Sequence, residues 1–218
     1  MRRLLALSAS LAFAAACGDH RAPPPPADDG GGGSPGGGGS SQGNPSVVST
    51  PDDPAIPRYA VGDTLPGDLT FEGYLDGATE KTTIHLEDLR DPDGTKGIDA
   101  VLVVVNNTSC PYCNAEVKAL KIYQEQRWQK RRITTLQLLH QNAKGKLASP
   151  EDALAWRTST LTHGLTAADP KLVFSRVGSN AMPIRVVIDP RTLTVVYRQE
   201  GVGTAAFMKA EELAKEQP

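Results

Sequence analysis

The segment Asp99–Asn107, DAVLVVVNN, is a continuous and largely β-branched apolar run. A strand apolar on successive positions has both faces covered, so this run predicts a central strand. Upstream, LTFEGYLD (69–76) and KTTIHLEDL (81–89) alternate apolar and polar positions and predict an N-terminal strand pair. Downstream, residues 111–130 carry helical periodicity, and ITTLQLLH (133–140) predicts a second central strand. The SPED stretch at 149–152 opens another helix, with Ser149 as N-cap and Pro150 at the first helical position. PIRVVID (183–189), the turn DPRTLT and then VVYRQEG predict a hairpin, and a last helix follows over 204–216. Strand, helix, strand, helix, strand hairpin and helix in that order predict an α/β domain with a mixed central sheet.

Composition sets the boundaries of that domain. Residues 18–57 include PPPP (23–26) and GGGGSPGGGGSSQG (30–43) and hold almost no core-forming side chains. Such a segment cannot bury enough apolar surface to offset its ordering entropy, so it is expected to be a disordered tether. Its root-mean-square reach would be about 35 Å. The domain is expected over 58–218. Ahead of the tether, Arg2 and Arg3 precede a short apolar stretch and the small residues Ala14, Ala15 and Ala16, the layout of an export leader over 1–17. Its end, AAAC, is similar to a bacterial lipobox, with Ala14 where Leu is commoner. That likeness implies cleavage before Cys17 and lipidation of its sulfur. Asp19 rather than Gly18 carries the acid, which leans the anchor toward the outer membrane. Charge adds little: 23 basic against 25 acidic side chains give a formal net charge of −2, with nothing of a nucleic-acid binder.

With Cys17 assigned to lipid, Cys110 and Cys113 remain as an isolated pair in CPYC. An exported pair meets an oxidising compartment. A structural staple is a poor reading, because the closed loop is tiny and disulfide stabilisation on the chain-entropy model grows with loop length. A zinc site needs four ligands, and His20, His85, His140 and His163 show no paired spacing. Haem attachment would need His after the second cysteine, where Asn114 stands. Redox chemistry is the leading reading. Cys110 is expected at a helix start, where unpaired N–H groups and the dipole favour a thiolate. Pro111 suits the first helical turn. Cys113, Val117 and Leu120 share one helix face, so Cys113 is expected to be the sheltered, resolving sulfur and Cys110 the exposed attacker. Tyr112 is expected beside the attacker, where it can contact substrate.

Strand, SCPYC, helix and strand, followed by MPIRVVID, a hairpin and a terminal helix, resemble the thioredoxin fold. VGDTLPGDLTFEGYLDG ahead of them, and the insertion before MPIRVVID, are similar to its TlpA-like/redoxin branch, over about Val61 to Lys215. The resemblance implies a three-layer α/β/α architecture with an N-terminal strand extension. It implies Cys110 and Cys113 as the catalytic pair and Pro183 as a cis-proline facing them. It also implies that the backbone of Met182 pairs with an extended substrate, with Pro111 and Tyr112 alongside. The departures are specific. Val104 stands where thioredoxins bury an acid, Ser109 replaces the usual Trp, and Pro-Tyr replaces Gly-Pro. Asn106 and Asn107 are polar but do not titrate, so no obvious proton relay for Cys113 is in view.

The function implied is a membrane-tethered, extracytoplasmic thiol–disulfide oxidoreductase acting as a protein-disulfide reductase. Its partners would be protein disulfides and a membrane thiol donor, and its only redox group the Cys110–Cys113 disulfide, with no metal. Two alternatives stay open. A peroxiredoxin-like peroxide reductase needs Thr three residues before its cysteine, whereas Thr108 is two before Cys110. A metallochaperone could use soft thiolates for Cu(I), though related chaperones use wider spacing and an essential His. Elsewhere, RWQKRR (127–132) is read as cations near a helix C-terminus. His140 and His163 are read as structural or exposed, and Trp128 and Trp156 as packing residues.

Overall fold

The strand β3, Ala100–Asn107, sits near the middle of a seven-stranded sheet ordered β2-β1-β5-β4-β3-β6-β7. The computed structural model describes residues 59–174 and 181–216, which all fall in one compact unit, Val47–Pro218. The expected leader, Cys17 and the whole of the tether lie outside the described residues. The other strands are β1 (Thr70–Tyr74), β2 (Thr82–His85), β4 (Ile133–Gln141), β5 (Leu165–Ala168), β6 (Ile184–Asp189) and β7 (Thr194–Glu200). β3 runs parallel to β4 and antiparallel to β6, and β4 runs parallel to β5, so the sheet is mixed as expected. The helices are α1 (Pro111–Ile122), α2 (Pro150–Thr160) and α3 (Ala205–Glu216).

Alternation along β3 sends its side chains into two cores. Val101, Val103 and Val105 pack with Leu136, Leu138, Ile184, Val186 and Ile188 on one face. That face is covered by Leu65, Phe71, Leu86, Leu89, Val173 and Phe174. Ala100, Leu102 and Val104 point the other way, onto Leu120 of α1, Trp128, and Ala206, Phe207 and Ala210 of α3. Every one of these β3 side chains is fully buried, which is why the run tolerates no polar residue before Asn106.

Three details differ from the sequence expectation. The strand expected over 81–89 ends at His85, and Leu86–Leu89 forms a 3-10 turn. Leu86 and Leu89, three apart, both turn inward, a spacing a strand would send to opposite faces. The helix expected over 111–130 is α-helical only to Ile122, then widens into a π-turn at Tyr123–Arg127. Trp128 N–H closes that turn on Tyr123 C=O, and the indole stacks edge-on against Phe207, centroids 5.9 Å apart. Strand β5 was not expected at all: LTAA is too short to show a period. It inserts between β4 and the N-terminal hairpin, pairing parallel with β4 and antiparallel with β1. Ser149 does cap α2, through a capping box in which Asp152 takes the reciprocal position.

Candidate active site

The last residues of β3 shape the turn that presents the cysteines. The β3–β4 register slips between Asn106 and Asn107, and Thr108 N–H still reaches Gln141 C=O at 3.0 Å. Cys110 N–H then bonds Asn107 C=O at 3.1 Å. The amide of Asn114 reaches back from the helix to the carbonyls of Thr108 (3.3 Å) and Cys110 (3.0 Å), locking the turn against α1.

Cys110 is the N-cap of α1, with extended backbone angles, and its Sγ accepts the Cys113 N–H at 3.1 Å. The cap position usually filled by an oxygen is here filled by sulfur. Pro111 occupies the first helical turn. Cys110 is half-buried, Cys113 is fully buried, and Tyr112 between them is 63 % exposed. Both cysteines are free thiols. Cys113 packs with Val117, Leu139, Ala153, Trp156 and Ala168, and both Cys110 and Met182 lie against that same cluster. Loss of hydration pushes the Cys113 thiol up, and the neighbouring Cys110 and Glu116 add to the rise, while the backbone of Asn107 opposes it. The Met182–Pro183 peptide is cis. Met182 is half-buried, Pro183 is buried, and Pro183 C=O accepts Gly201 N–H at 2.9 Å. The expected site residues Cys110, Cys113, Met182 and Pro183 therefore meet at one end of the sheet, with Pro111 and Tyr112 on the same helical turn.

Two residues that sequence reasoning passed over stand behind them. Glu116 lies one turn beyond Cys113 on α1, with its side chain 3 % exposed. It forms an ion pair with Arg185 of β6, whose side chain is fully buried. Arg185 sits directly opposite Val104 in the β3–β6 register and also donates to the carbonyls of Gly201 and Gly203. Burial pushes the Glu116 carboxyl up to about 7, although Arg185 and a Gly203 backbone hydrogen bond both pull it down. Burial likewise lowers Arg185, which Glu116 counters. A titratable ion pair thus reaches the neighbourhood of Val104 from the adjacent helix and strand. Both had signals. Glu116 falls on the helix face shared by Cys113, Val117 and Leu120, and Arg185 is a charge set among the apolar Ile184, Val186, Val187 and Ile188 of β6. A charge so placed requires a partner. Asn106, which shares β3 and that face with Val104, is buried, and neither amide atom has a partner among the described residues.

The remaining candidates lie elsewhere. His140 is buried, with Nε2 3.1 Å from Asp169 Oδ2, and Asp169 also accepts Val173 N–H. His163 lends its carbonyl to Gln124, Thr135 and Gln137. Trp156 packs behind Cys113, and Trp128 packs under α3 with its Nε1–H on Glu211. Of the cations of 127–132, Arg127 stands in the last turn of the helical segment, as expected. Arg127 also grips Glu211 with two bonds of 2.7 Å, and Arg132 grips Asp99 at 3.0 and 2.7 Å, so both serve ion pairs as well. Among the described residues, no three His, Cys, Asp or Glu side chains converge as metal ligands, and no helix is long and apolar enough to cross a membrane.

Solved structures share this arrangement of strands and helices. A candidate protein disulfide isomerase from Bacteroides thetaiotaomicron superposes with a TM-score of 0.52 at 19 % identity, over 72 % of this chain and 92 % of that one. A candidate thioredoxin from Neisseria meningitidis gives 0.50 at 13 %, over 71 % and 93 %. The fold is thioredoxin-like. The reduced 2-Cys peroxiredoxin of Plasmodium vivax superposes equally well, at 0.52 and 17 %, over 72 % and 96 %. No family model and no curated protein matches the sequence. On this thioredoxin-like fold, CPYC occupies the junction of a central strand and its following helix, and the cis-proline opens the adjacent strand β6.

Proposed function

We propose that the protein is a thiol–disulfide oxidoreductase working through Cys110 and Cys113, and that it acts as a protein-disulfide reductase in the cell envelope. One observation carries the reading: a half-exposed cysteine caps a helix with its sulfur on a backbone N–H, and a fully buried cysteine lies one turn below it. The Cys110 thiolate attacks one sulfur of a substrate disulfide, and the other sulfur leaves as a thiolate. Cys113 then loses its proton and attacks Cys110 Sγ. The mixed disulfide breaks, the second substrate sulfur leaves, and the Cys110–Cys113 disulfide closes. The substrate gains two electrons and the protein loses two. Met182, packed on the same cluster as Cys110, and exposed Tyr112 on the same helical turn would receive the substrate chain. A membrane-bound dithiol donor would restore the reduced pair. The leader, a lipid on Cys17 and the 18–57 tether would hold the domain outside the cytoplasm, with the outer membrane favoured.

The reduction potential of the pair tests this. The full chain is equilibrated in thiol buffers and read by alkylation and mass. A value near or below about −230 mV supports a reductase, and one near −120 mV makes the protein an oxidant instead. Cys113→Ser should accumulate the mixed disulfide on Cys110. If no Cys110–Cys113 disulfide forms at any poise, the assignment fails.

Peroxide reduction is the second reading, favoured by the peroxiredoxin likeness of the fold. Against it, the Thr108 hydroxyl is committed to Gln141 C=O at 3.2 Å rather than to the space above Cys110. Peroxide consumption by the reduced protein distinguishes the two.

A further inference from the structure

The loop between β4 and α2 is held in one shape by its own hydrogen bonds. Gln141 and Leu147 pair as an antiparallel bridge, and Ala148 N–H returns to His140 C=O at 2.9 Å, so residues 141–148 form a short hairpin. Asn142 is its hub. Its N–H donates to Lys146 C=O at 2.9 Å, and its side-chain oxygen accepts the N–H groups of Lys144 (3.0 Å) and Lys146 (3.2 Å). Its side-chain amide donates to Asp152 Oδ2 at 3.2 Å, which ties the turn to α2. Gly145, with φ at 71°, takes the left-handed position that the turn needs.

The 141–148 hairpin is also fastened to the turn that carries the attacking cysteine. Thr108, two residues before Cys110, donates both its N–H (3.0 Å) and its hydroxyl (3.2 Å) to Gln141 C=O. At the other end of the hairpin, Ala148 packs in the cluster that holds Cys113 and borders Cys110. β4 lies parallel to β3 on one side, and β6 lies on the other. The hairpin therefore flanks Cys110 on the side away from Met182 and Pro183.

Charge around the cysteines is one-sided. Residues 108–114, 181–183 and 201–204 carry none. The hairpin carries Lys144 and Lys146, both exposed, and among the described residues neither is in an ion pair. The acids that follow on α2 and after β5 are committed. Glu151 pairs with Lys81 at 3.6 Å, Asp152 accepts from Ser149 N–H and Asn142, and Asp169 is buried against His140.

We propose that this hairpin selects the substrate, with Lys144 and Lys146 favouring protein disulfides that carry acidic side chains beside the attacked cysteine. The proposal rests on the oxidoreductase reading above and names the substrate class for it; the exchange chemistry is unchanged. A substrate chain running from Met182 across Cys110 meets the hairpin next. Neighbouring strands are about 5 Å apart and an extended residue spans about 3.3 Å, so substrate positions within about four residues of the cysteine come within reach of the two ammonium groups. The hydrogen bonds of the turn fix the backbone of both lysines in advance, which lowers the cost of ordering them at docking. Whole-chain charge does not supply this preference, because a formal net charge of −2 repels an acidic partner at long range.

The test uses the full chain and two disulfide-linked peptides that differ only in bearing Glu or Gln at the two positions on each side of the cysteine. The readout is the ratio of kcat/KM for the Glu peptide to that for the Gln peptide, with a dithiol as reductant. General losses of activity or of folded protein cancel in that ratio, and the peptides' intrinsic difference is common to every variant. At low ionic strength, Lys144→Ala combined with Lys146→Ala should lower the ratio about tenfold, and Lys144→Glu combined with Lys146→Glu should lower it further. Salt at about 0.5 M should remove most of the difference between wild type and variants. Lys215→Ala, which removes a cation from the last turn of α3, should leave the ratio unmoved.

If both peptides are reduced and the double variants leave the ratio unchanged, the hairpin does not select, and the proposal is overturned while the oxidoreductase reading stands. A ratio that shifts as much per charge with Lys215→Ala makes the effect one of overall charge and overturns it too. If the wild type reduces neither peptide nor a small uncharged disulfide, the oxidoreductase reading falls and the selectivity falls with it.

Discussion

Replacing Glu116 by Gln should change how stability depends on pH, and the size of the change can be worked from the site. The carboxyl titrates at about 7 in the folded chain, against an ordinary value of 4.5. A group whose folded value is raised favours folding fully below the unfolded value, and loses that contribution as pH rises through the folded one. The relevant window is therefore 4.5 to 7. At 1.36 kcal/mol per unit, the wild type should lose about 3 kcal/mol of stability across it from this one residue. The side chain is only 3 % exposed, so solvent screening takes little from that figure. Gln cannot titrate, so the variant lacks this slope. Near pH 4.5 the folded wild type also holds Glu116 neutral beside Arg185, so Gln, its uncharged isostere, costs little there. Urea unfolding of both chains at pH 4.5, 6 and 7.5 gives the difference directly, and the other titrating groups largely cancel in it. The two chains should be close at pH 4.5, and the wild type should fall by about 3 kcal/mol relative to the variant by pH 7.5. Parallel curves, with a change below about 1 kcal/mol, would refute the claim that burial has displaced this carboxyl.

Two further substitutions test the frame around the site. Ser149→Ala removes the half of the α2 cap in which the hydroxyl accepts Asp152 N–H and keeps the half in which its own N–H donates to Asp152 Oδ2; it should cost about 1 kcal/mol and lower Tm by a few degrees in a thermal melt. Gly73→Ala would drive a methyl group into the Thr166 carbonyl and Ala167 across the β1–β5 pairing. It should cost about 1 to 3 kcal/mol, with faster amide exchange in β1 and β2 and little change at β3.

Much of this architecture could be read from the chain because the period and the burial agreed. The run 99–107 is apolar on both faces and became the doubly buried β3. SPED was a sufficient signal for the start of α2. The failures came where tertiary contacts overrode local pattern. The residues of β5 look unremarkable, and only the exposed hydrogen-bonding edge of β4 makes them a strand. Leu86 and Leu89 read as strand positions until the sheet face they cover is known. At the site, the local residues Cys110, Pro111, Tyr112 and Cys113 were legible because a helix start dictates their places. Glu116 and Arg185 were not paired in advance, because they are far apart in the sequence and meet only when β6 docks beside β3. The search for an acid at one strand position overlooked that a helix and a neighbouring strand can deliver the same charge to the same space.

The placement of β5 has a consequence for the order of assembly. The hairpin β1–β2 leaves the ribosome before every other strand of the sheet, yet its neighbour there is β5, which is synthesised after β3, α1, β4 and α2. The segment ahead of β1 waits longer still, since Thr64 pairs with Thr194. A nascent chain can join β3 to β4 as soon as α1 has formed between them, but the hairpin can only be held in reserve. The first-made strands of the sheet are thus the last laid on their side of it, and the solvent-facing Thr83 and His85 leave the hairpin hydrophilic enough to wait.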